Sequence, residues 1–147
     1  MKHNLLYILP FLLVFAAGCS LNKSNNPAPV NIPEGTFTGQ FKFQRNLKAH
    51  VDSGHANLTL NMETATGFHV TGDTATVHAG SYGGYVIYTS LGEIAFGDKT
   101  FPTTGTPAKY HLSGVYYYTY DGSNLQISYK SYADTLAFLY TMKKTGN

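Results

Sequence analysis

From Gly35 to the end of the chain, apolar side chains recur at every second position, and this period most limits what the chain can fold into. Phe37, Phe41 and Phe43 fall on one face of an extended segment, and the residues between them are polar or glycine. Side chains of a β-strand point alternately to opposite faces, so the pattern predicts a strand with one buried and one solvated face. We find no helical period and expect an all-β domain.

The same alternation predicts further strands around residues 56–62, 68–70, 75–77, 85–87, 94–96, 112–120, 125–129 and 136–140. Between them, residues 97–109 form a Pro- and Thr-rich loop. Because each strand is followed by a short turn, we predict an antiparallel up-and-down meander of eight or nine strands. Such a meander must either stack as two sheets or close, and closure is favoured because it leaves no exposed strand edge.

Three turns set the predicted register. A two-residue turn at Gly72-Asp73 would pair Val70 with Ala75, and a four-residue loop at 131–134 would pair Tyr129 with Leu136. At Asp121-Gly122, turns of two and of four residues leave the same side chains inside, and the pattern does not choose between them.

The amino-terminal residues have the shape of a secretory signal segment. A basic start is followed by an uncharged, mostly apolar run of residues 5–18, too short for a membrane-spanning helix. The run ends in Ala16-Ala17-Gly18-Cys19, which resembles the lipobox of bacterial lipoproteins. The resemblance implies removal of residues 1–18, lipidation at Cys19 and attachment to a lipid bilayer. Ser20 in place of the aspartate that often marks inner-membrane retention favours the outer membrane.

Three parts follow: a signal peptide at 1–18, a lipidated cysteine and flexible tether at 19–34, and one domain at 35–147. The tether is rich in Asn and Pro and has few large side chains, so we expect it not to fold by itself. Cys19 is the single cysteine, which excludes a disulfide within the chain. The formal net charge is +2, and the basic residues are scattered, so no nucleic-acid partner is predicted.

The domain resembles the lipocalin-like barrels. The resemblance rests on Gly35-Thr36-Phe37 at the head of the first strand, a long first loop at 46–54, and a last strand ending in Lys143-Lys144. It implies that Phe37 takes the place of the usual tryptophan and that Lys143 covers it. It also implies a closed barrel with a loop over its open mouth.

Histidines suggest two further sites. In the predicted hairpin His69 lies diagonal to His78, so both could share a cation, although two solvated polar residues are the simpler interpretation. His50, Asp52 and His55 lie in the first loop with Ser53, but a catalytic triad needs rigid placement, which a flexible loop does not give. We predict no metal, no cofactor and no enzymatic activity.

Tyrosines on the predicted inner face bear most directly on function. A barrel of about eight strands either fills with side chains or holds one small ligand, and both alternatives fit the tyrosines. The leading hypothesis is a membrane-anchored, non-enzymatic binding domain for a small apolar or amphipathic ligand. The alternative is a structural or protein-interaction lipoprotein with a solid barrel. The predicted ligand-binding residues are Phe37, Phe41, Leu58, Phe68, Tyr116, Tyr118, Tyr129 and Phe138.

Overall fold

A computed structural model describes residues 31–133 and 135–147 and shows eight antiparallel strands in a closed barrel. The strands are β1 (Gly35–Asn46), β2 (Val51–Glu63), β3 (Gly67–Gly72), β4 (Tyr82–Tyr88), β5 (Glu93–Asp98), β6 (Gly114–Tyr120), β7 (Asn124–Lys130) and β8 (Leu136–Gly146). Each strand pairs with the next, and β1 pairs with β8 to complete the ring. The predicted all-β meander and its closure are therefore confirmed. In the described ranges no helix is long and apolar enough to cross a membrane.

The barrel has two distinct ends. At the termini end, β1 begins, β8 finishes, and three tight turns join β2 to β3, β4 to β5 and β6 to β7. At the loop end lie the other four connections, which include the long segments 73–81 and 99–113. Most of the irregular chain that the structure describes is thus gathered at the loop end.

Alternating side chains from all eight strands fill the interior. Phe37, Phe41, Leu60 and Ile127 are fully buried, as the period of two predicts. Rings pack on one another through the middle of the barrel: the centroids of Phe41 and Tyr140 are 4.8 Å apart, and those of Phe41 and His78 are 4.7 Å apart. The barrel centre is therefore an aromatic core.

The predicted hairpin at Gly72-Asp73 is wrong. Gly72 has a φ of 100°, a left-handed conformation that suits glycine, and β3 ends there. Residues 73–81 then fold over the loop end, where His78 enters the core and forms a parallel bridge with Tyr110. The alternation of Ala75 and Val77 belongs to this covering segment and not to a strand. On the side away from β2, β3 pairs with β4 at Phe68–Gly83 and His69–Tyr82, and the Val70 N–H donates to the Ser81 carbonyl just before β4.

The first loop is also shorter than predicted. β1 and β2 stay paired as far as Asn46 and Val51, so residues 47–50 make the turn. The mostly polar residues 51–55, which suggested a loop, belong to β2. They extend the β1–β2 hairpin beyond the core and are exposed or half-buried.

Register differs at one of the two remaining turns. Tyr129 pairs with Phe138 and not with Leu136, because Ser131 closes the connection by donating its N–H to the Leu136 carbonyl. The shift is two residues, so the inward face is unchanged. At Asp121-Gly122, Tyr120 pairs with Leu125, which corresponds to the four-residue alternative.

The described chain packs against the barrel before β1 begins. Pro33 is buried, and the Glu34 carboxylate accepts a hydrogen bond of 3.1 Å from the Thr64 N–H at the termini end. The folded unit thus includes two residues that we assigned to the tether. The predicted signal peptide and the predicted lipidation site, Cys19, lie outside the described residues.

Candidate ligand-binding recess

A recess of about 520 Å³ opens at the loop end of the barrel. Its wall comes from the loop between β5 and β6, from the facing ends of β7 and β8, and from Arg45 near the end of β1. The volume lies within the roughly 300–1,000 Å³ of small-molecule sites.

Aromatic rings form much of the wall. Tyr129 stacks on Phe138 with centroids 5.6 Å apart and an interplanar angle of 30°, and Tyr116 lies 5.8 Å from Tyr129. On the other side, Tyr110 lies 4.8 Å from Phe138 and 4.6 Å from Phe43. Because each ring contacts at least one other, the wall is continuous with the aromatic core.

Two cationic side chains line the recess beside this wall. The Arg45 guanidinium donates from Nε to the Tyr110 hydroxyl at 3.1 Å, makes a second bond to it from Nη2, and lies 5.7 Å from the ring centroid. The hydrogen bonds that Arg45 donates to the Tyr110 hydroxyl raise the pKa of the guanidinium above its ordinary value. Lys109 donates from Nζ to the Thr74 carbonyl oxygen at 2.7 Å, which joins the two covering segments.

His111 lines the recess with a buried carboxylate behind it. Its Nδ1 lies 2.7 Å from Asp98 Oδ2, and the Asp98 side chain is fully buried. The other carboxylate oxygen accepts bonds of 2.7 Å from the N–H and the hydroxyl of Thr100. Burial alone would raise the pKa of Asp98, but the hydrogen bonds from Thr100 and His111 outweigh it and hold the pKa below its usual value. Asp98 thus holds the imidazole in place.

Polar groups also continue below the recess into the core. Tyr140 Oη lies 2.9 Å from His78 Nε2, and His78 Nδ1 contacts the Ala79 carbonyl oxygen. If Nδ1 donates to that oxygen, Nε2 accepts from the tyrosine, which satisfies both buried side chains. Burial lowers the pKa of His78 to about 4 and raises that of Tyr116 to about 12.

The predicted ligand-binding residues divide into two groups. Phe37, Phe41, Leu58 and Phe68 are buried in the core, and Tyr118 is half-buried against it. Tyr116, Tyr129 and Phe138 line the recess. The sequence therefore places the inward face correctly, but only the residues near the loop end reach an opening.

Sequence reasoning missed Arg45, Phe101, Tyr110 and His111. Three of them belong to the segment between β5 and β6, whose path over the barrel follows no periodic rule. Phe101 and His111, for example, meet edge to face at 5.3 Å although ten positions separate them. Their aromatic and basic character inside a Pro- and Thr-rich loop was the available signal.

The two histidine hypotheses do not match the structure. His69 is exposed on the outer wall opposite Tyr82, whereas His78 is buried, so they do not share a cation. His55 and Asp52 lie in β2, opposite Lys42 and Arg45, and not in a loop over the mouth. Within residues 31–133 and 135–147, no group of three His, Cys, Asp or Glu side chains is arranged to hold a metal ion.

The covering role suggested for Lys143 is wrong too. Lys143 is exposed and pairs with Thr38, whereas Lys144 is the cross-strand partner of Phe37. This register continues unbroken to Arg45–Leu136 and shifts only between Thr36 and Phe37, where Thr145 is an extra residue in β8.

Other depressions lie on the outer wall. The largest of those described is about 700 Å³, with polar side chains of β1, β2 and β8 such as Thr38, Gln40 and Lys143 around it. It lacks the aromatic wall of the recess, so we take the recess as the candidate site. No known protein family, curated protein or solved structure gives a significant match to this chain.

Proposed function

We propose that this chain is a lipoprotein of the bacterial envelope. Its signal peptide, residues 1–18, is removed, Cys19 is lipidated, and the following tether joins the barrel to a bilayer, with the outer membrane favoured by Ser20. The proposal rests on the small-residue sequence before a single cysteine. A mature protein with two or three acyl chains would be firmly attached, because a single chain binds membranes only marginally.

The barrel itself is proposed to bind a small apolar or amphipathic ligand without catalysing a reaction. The observation that carries this proposal is the recess, in which stacked rings remain open at the loop end while the barrel centre is packed. The contacts of His111 do not favour catalysis. The Thr100 hydroxyl lies 3.5 Å from the His111 Nδ1 but donates its hydrogen bond to Asp98 and not to the imidazole. The likeness to lipocalins is thus one of architecture, with the site at the mouth.

The recess and the point where the tether joins the barrel lie at opposite ends of the barrel. The tether reaches the barrel at the termini end, whereas Arg45 lies ten residues along β1 towards the loop end. At about 3.3 Å per residue and a strand tilt of about 40°, this is roughly 25 Å along the barrel axis. A barrel anchored at Cys19 would therefore be attached at the end opposite its recess, which leaves the recess accessible to water-borne ligands.

Lipidation is tested by growing an expressing bacterium with an alkyne-labelled fatty acid. We expect label on the wild-type chain, none on Cys19→Ser, and a mature mass that begins at residue 19. An unlabelled wild-type chain that retains residues 1–18 would refute the lipoprotein proposal.

Ligand binding is tested with a single tryptophan as a fluorescent reporter. The chain has no tryptophan, so Phe101→Trp places a single one at the recess, and Tyr117→Trp places a control on the outer wall. Octanoate and octanamide should change the emission of the first variant in a saturable way and leave the second unchanged. Equal responses from both variants would indicate lipid partition and not a site.

A second function, protein binding, is favoured by one observation on the outer wall. Val86 and Val115 flank Ala95, and Tyr88 and Tyr117 flank Glu93, across β4, β5 and β6. The four flanking side chains are 45–63% exposed and form an outer apolar patch. Such a patch suits a protein-binding surface. Val86→Lys with Tyr117→Lys should abolish capture of any protein partner while the Phe101→Trp response to octanoate persists, because neither residue lines the recess.

A further inference from the structure

We propose that the ligand of the recess carries an anionic head group, a carboxylate or a phosphate monoester, on an apolar body. This inference rests on the proposed binding function and adds the charge of the ligand to it. It follows from the side chains that line the recess, which are mainly aromatic and basic.

The ionisable side chains in the described lining, apart from its tyrosines, are all basic. Arg45, Lys109 and His111 line the recess, and its described lining includes no aspartate or glutamate. Asp98 lies behind His111, where its buried carboxylate is bonded to His111 and Thr100 and is not part of the described lining. Asp52, the cross-strand partner of Arg45, lies outside the described lining, so a cationic ligand in the recess would be repelled by Arg45 and Lys109 and an anion would be attracted to both.

The two cations keep donors for a ligand. Arg45 uses Nε and Nη2 on the Tyr110 hydroxyl, and a guanidinium has five N–H donors. Lys109 has three donors, and its bond to the Thr74 carbonyl oxygen uses one. The bond to Tyr110 holds the guanidinium at the aromatic wall, so less side-chain freedom is lost when an anion binds. A guanidinium also matches the two oxygens of a carboxylate or phosphate.

The wall beside these cations accounts for the apolar body. The Tyr110 hydroxyl holds Arg45, and the Tyr110 ring contacts Phe138, which in turn stacks on Tyr129. A ligand whose head group reaches Arg45 would therefore lay its chain along these rings. A fully polar anion would leave them exposed and would gain less from binding.

The test compares head groups on one chain length. The full chain, lipidated by its host and held in phosphatidylcholine nanodiscs, carries Phe101→Trp and is titrated with octanoate, octyl phosphate and octanamide. We expect at least one of the two anions to bind about tenfold more tightly than the amide, which corresponds to about 1.4 kcal/mol. Thermal stabilisation of the chain without the tryptophan provides a second measurement that does not alter the recess.

Substitutions then assign the preference to its residues. Arg45→Met with Lys109→Met should bring the binding ratio of anion to amide close to one while amide binding persists. Lys42→Met, an exposed lysine on the outer wall of the same strand, should keep the tenfold ratio. Equal affinities for anions and amide, or a preference that survives the double substitution, would overturn the inference and leave the binding function standing. Absence of binding by all three compounds would overturn both.

Discussion

The stability of the barrel should fall below about pH 6.5 because His78 is buried where protonation is unfavourable. The imidazole is fully buried, and burial lowers its pKa from 6.5 to about 4. In the unfolded chain it regains its ordinary pKa. Between these two values the unfolded state binds more protons than the native state. The free energy of unfolding therefore rises with pH across this window and is lost as the pH falls.

The two pKa values set the size of the effect. At 1.36 kcal/mol per pKa unit, the full contribution of His78 is roughly 3 kcal/mol. Because protonation is gradual, about 2 kcal/mol of this should be lost at pH 5, relative to pH 8. For a small domain this is a large fraction of the 5–15 kcal/mol that separates folded from unfolded chains.

The assay is urea unfolding of the full chain, wild type and His78→Gln, followed by circular dichroism between about pH 4.5 and pH 8. Glutamine keeps a donor for the Ala79 carbonyl and an acceptor for Tyr140 but does not titrate. Other titrating groups contribute to both proteins and cancel in the difference. The advantage of wild type over the variant should shrink by about 2 kcal/mol from pH 8 to pH 5. A difference that stays constant within about 0.5 kcal/mol would refute the reasoning.

Three further predictions concern the framework. A Cβ at Gly83 would overlap the Gly97 carbonyl oxygen, whereas a Cβ at Gly84 would meet open space. In urea unfolding, Gly83→Ala should therefore lower the free energy of unfolding by about 3 kcal/mol or more, and Gly84→Ala by less than about 0.5 kcal/mol. Asp98→Asn should destabilise the chain by about 2 kcal/mol at pH 7, because hydrogen bonds to a buried carboxylate are lost. Asp73→Asn, the control, should be nearly neutral, and similar losses of stability in both variants would contradict this prediction. Amides at the short β3–β4 pairing should exchange with deuterium faster than those between β1 and β2, and uniform protection would argue against a weak seam.

Period and turn chemistry are sufficient to predict most of the barrel. The inward positions of β1, β2, β6 and β7 follow from alternation, since a slip of one residue would expose a whole row of apolar side chains. A slip of two residues leaves the same row inside, and for that reason Tyr129 and Phe138 could be placed on the correct face but not in the correct pair. Local patterns thus determine faces more strongly than partners.

The candidate site was less predictable because its residues depend on chain that has no period. Val77 and His78 continue an alternating pattern, yet they cover the barrel end and are held by a bridge to Tyr110, thirty-two positions away. Asp98 and His111 likewise meet only after the loop between β5 and β6 has crossed the end of the barrel. Long-range packing, which no short window of sequence contains, brings these side chains together.

The position of β1 has a mechanical consequence. β1 follows directly from the amino-terminal segment and pairs with β2 along its whole length and with β8 along nearly all of it. Antiparallel hydrogen bonds run perpendicular to the strands, so a pull on that segment along β1 would load both ladders in shear, with many bonds sharing the force at once. The strand nearest the chain start is therefore also the one best placed to resist extraction.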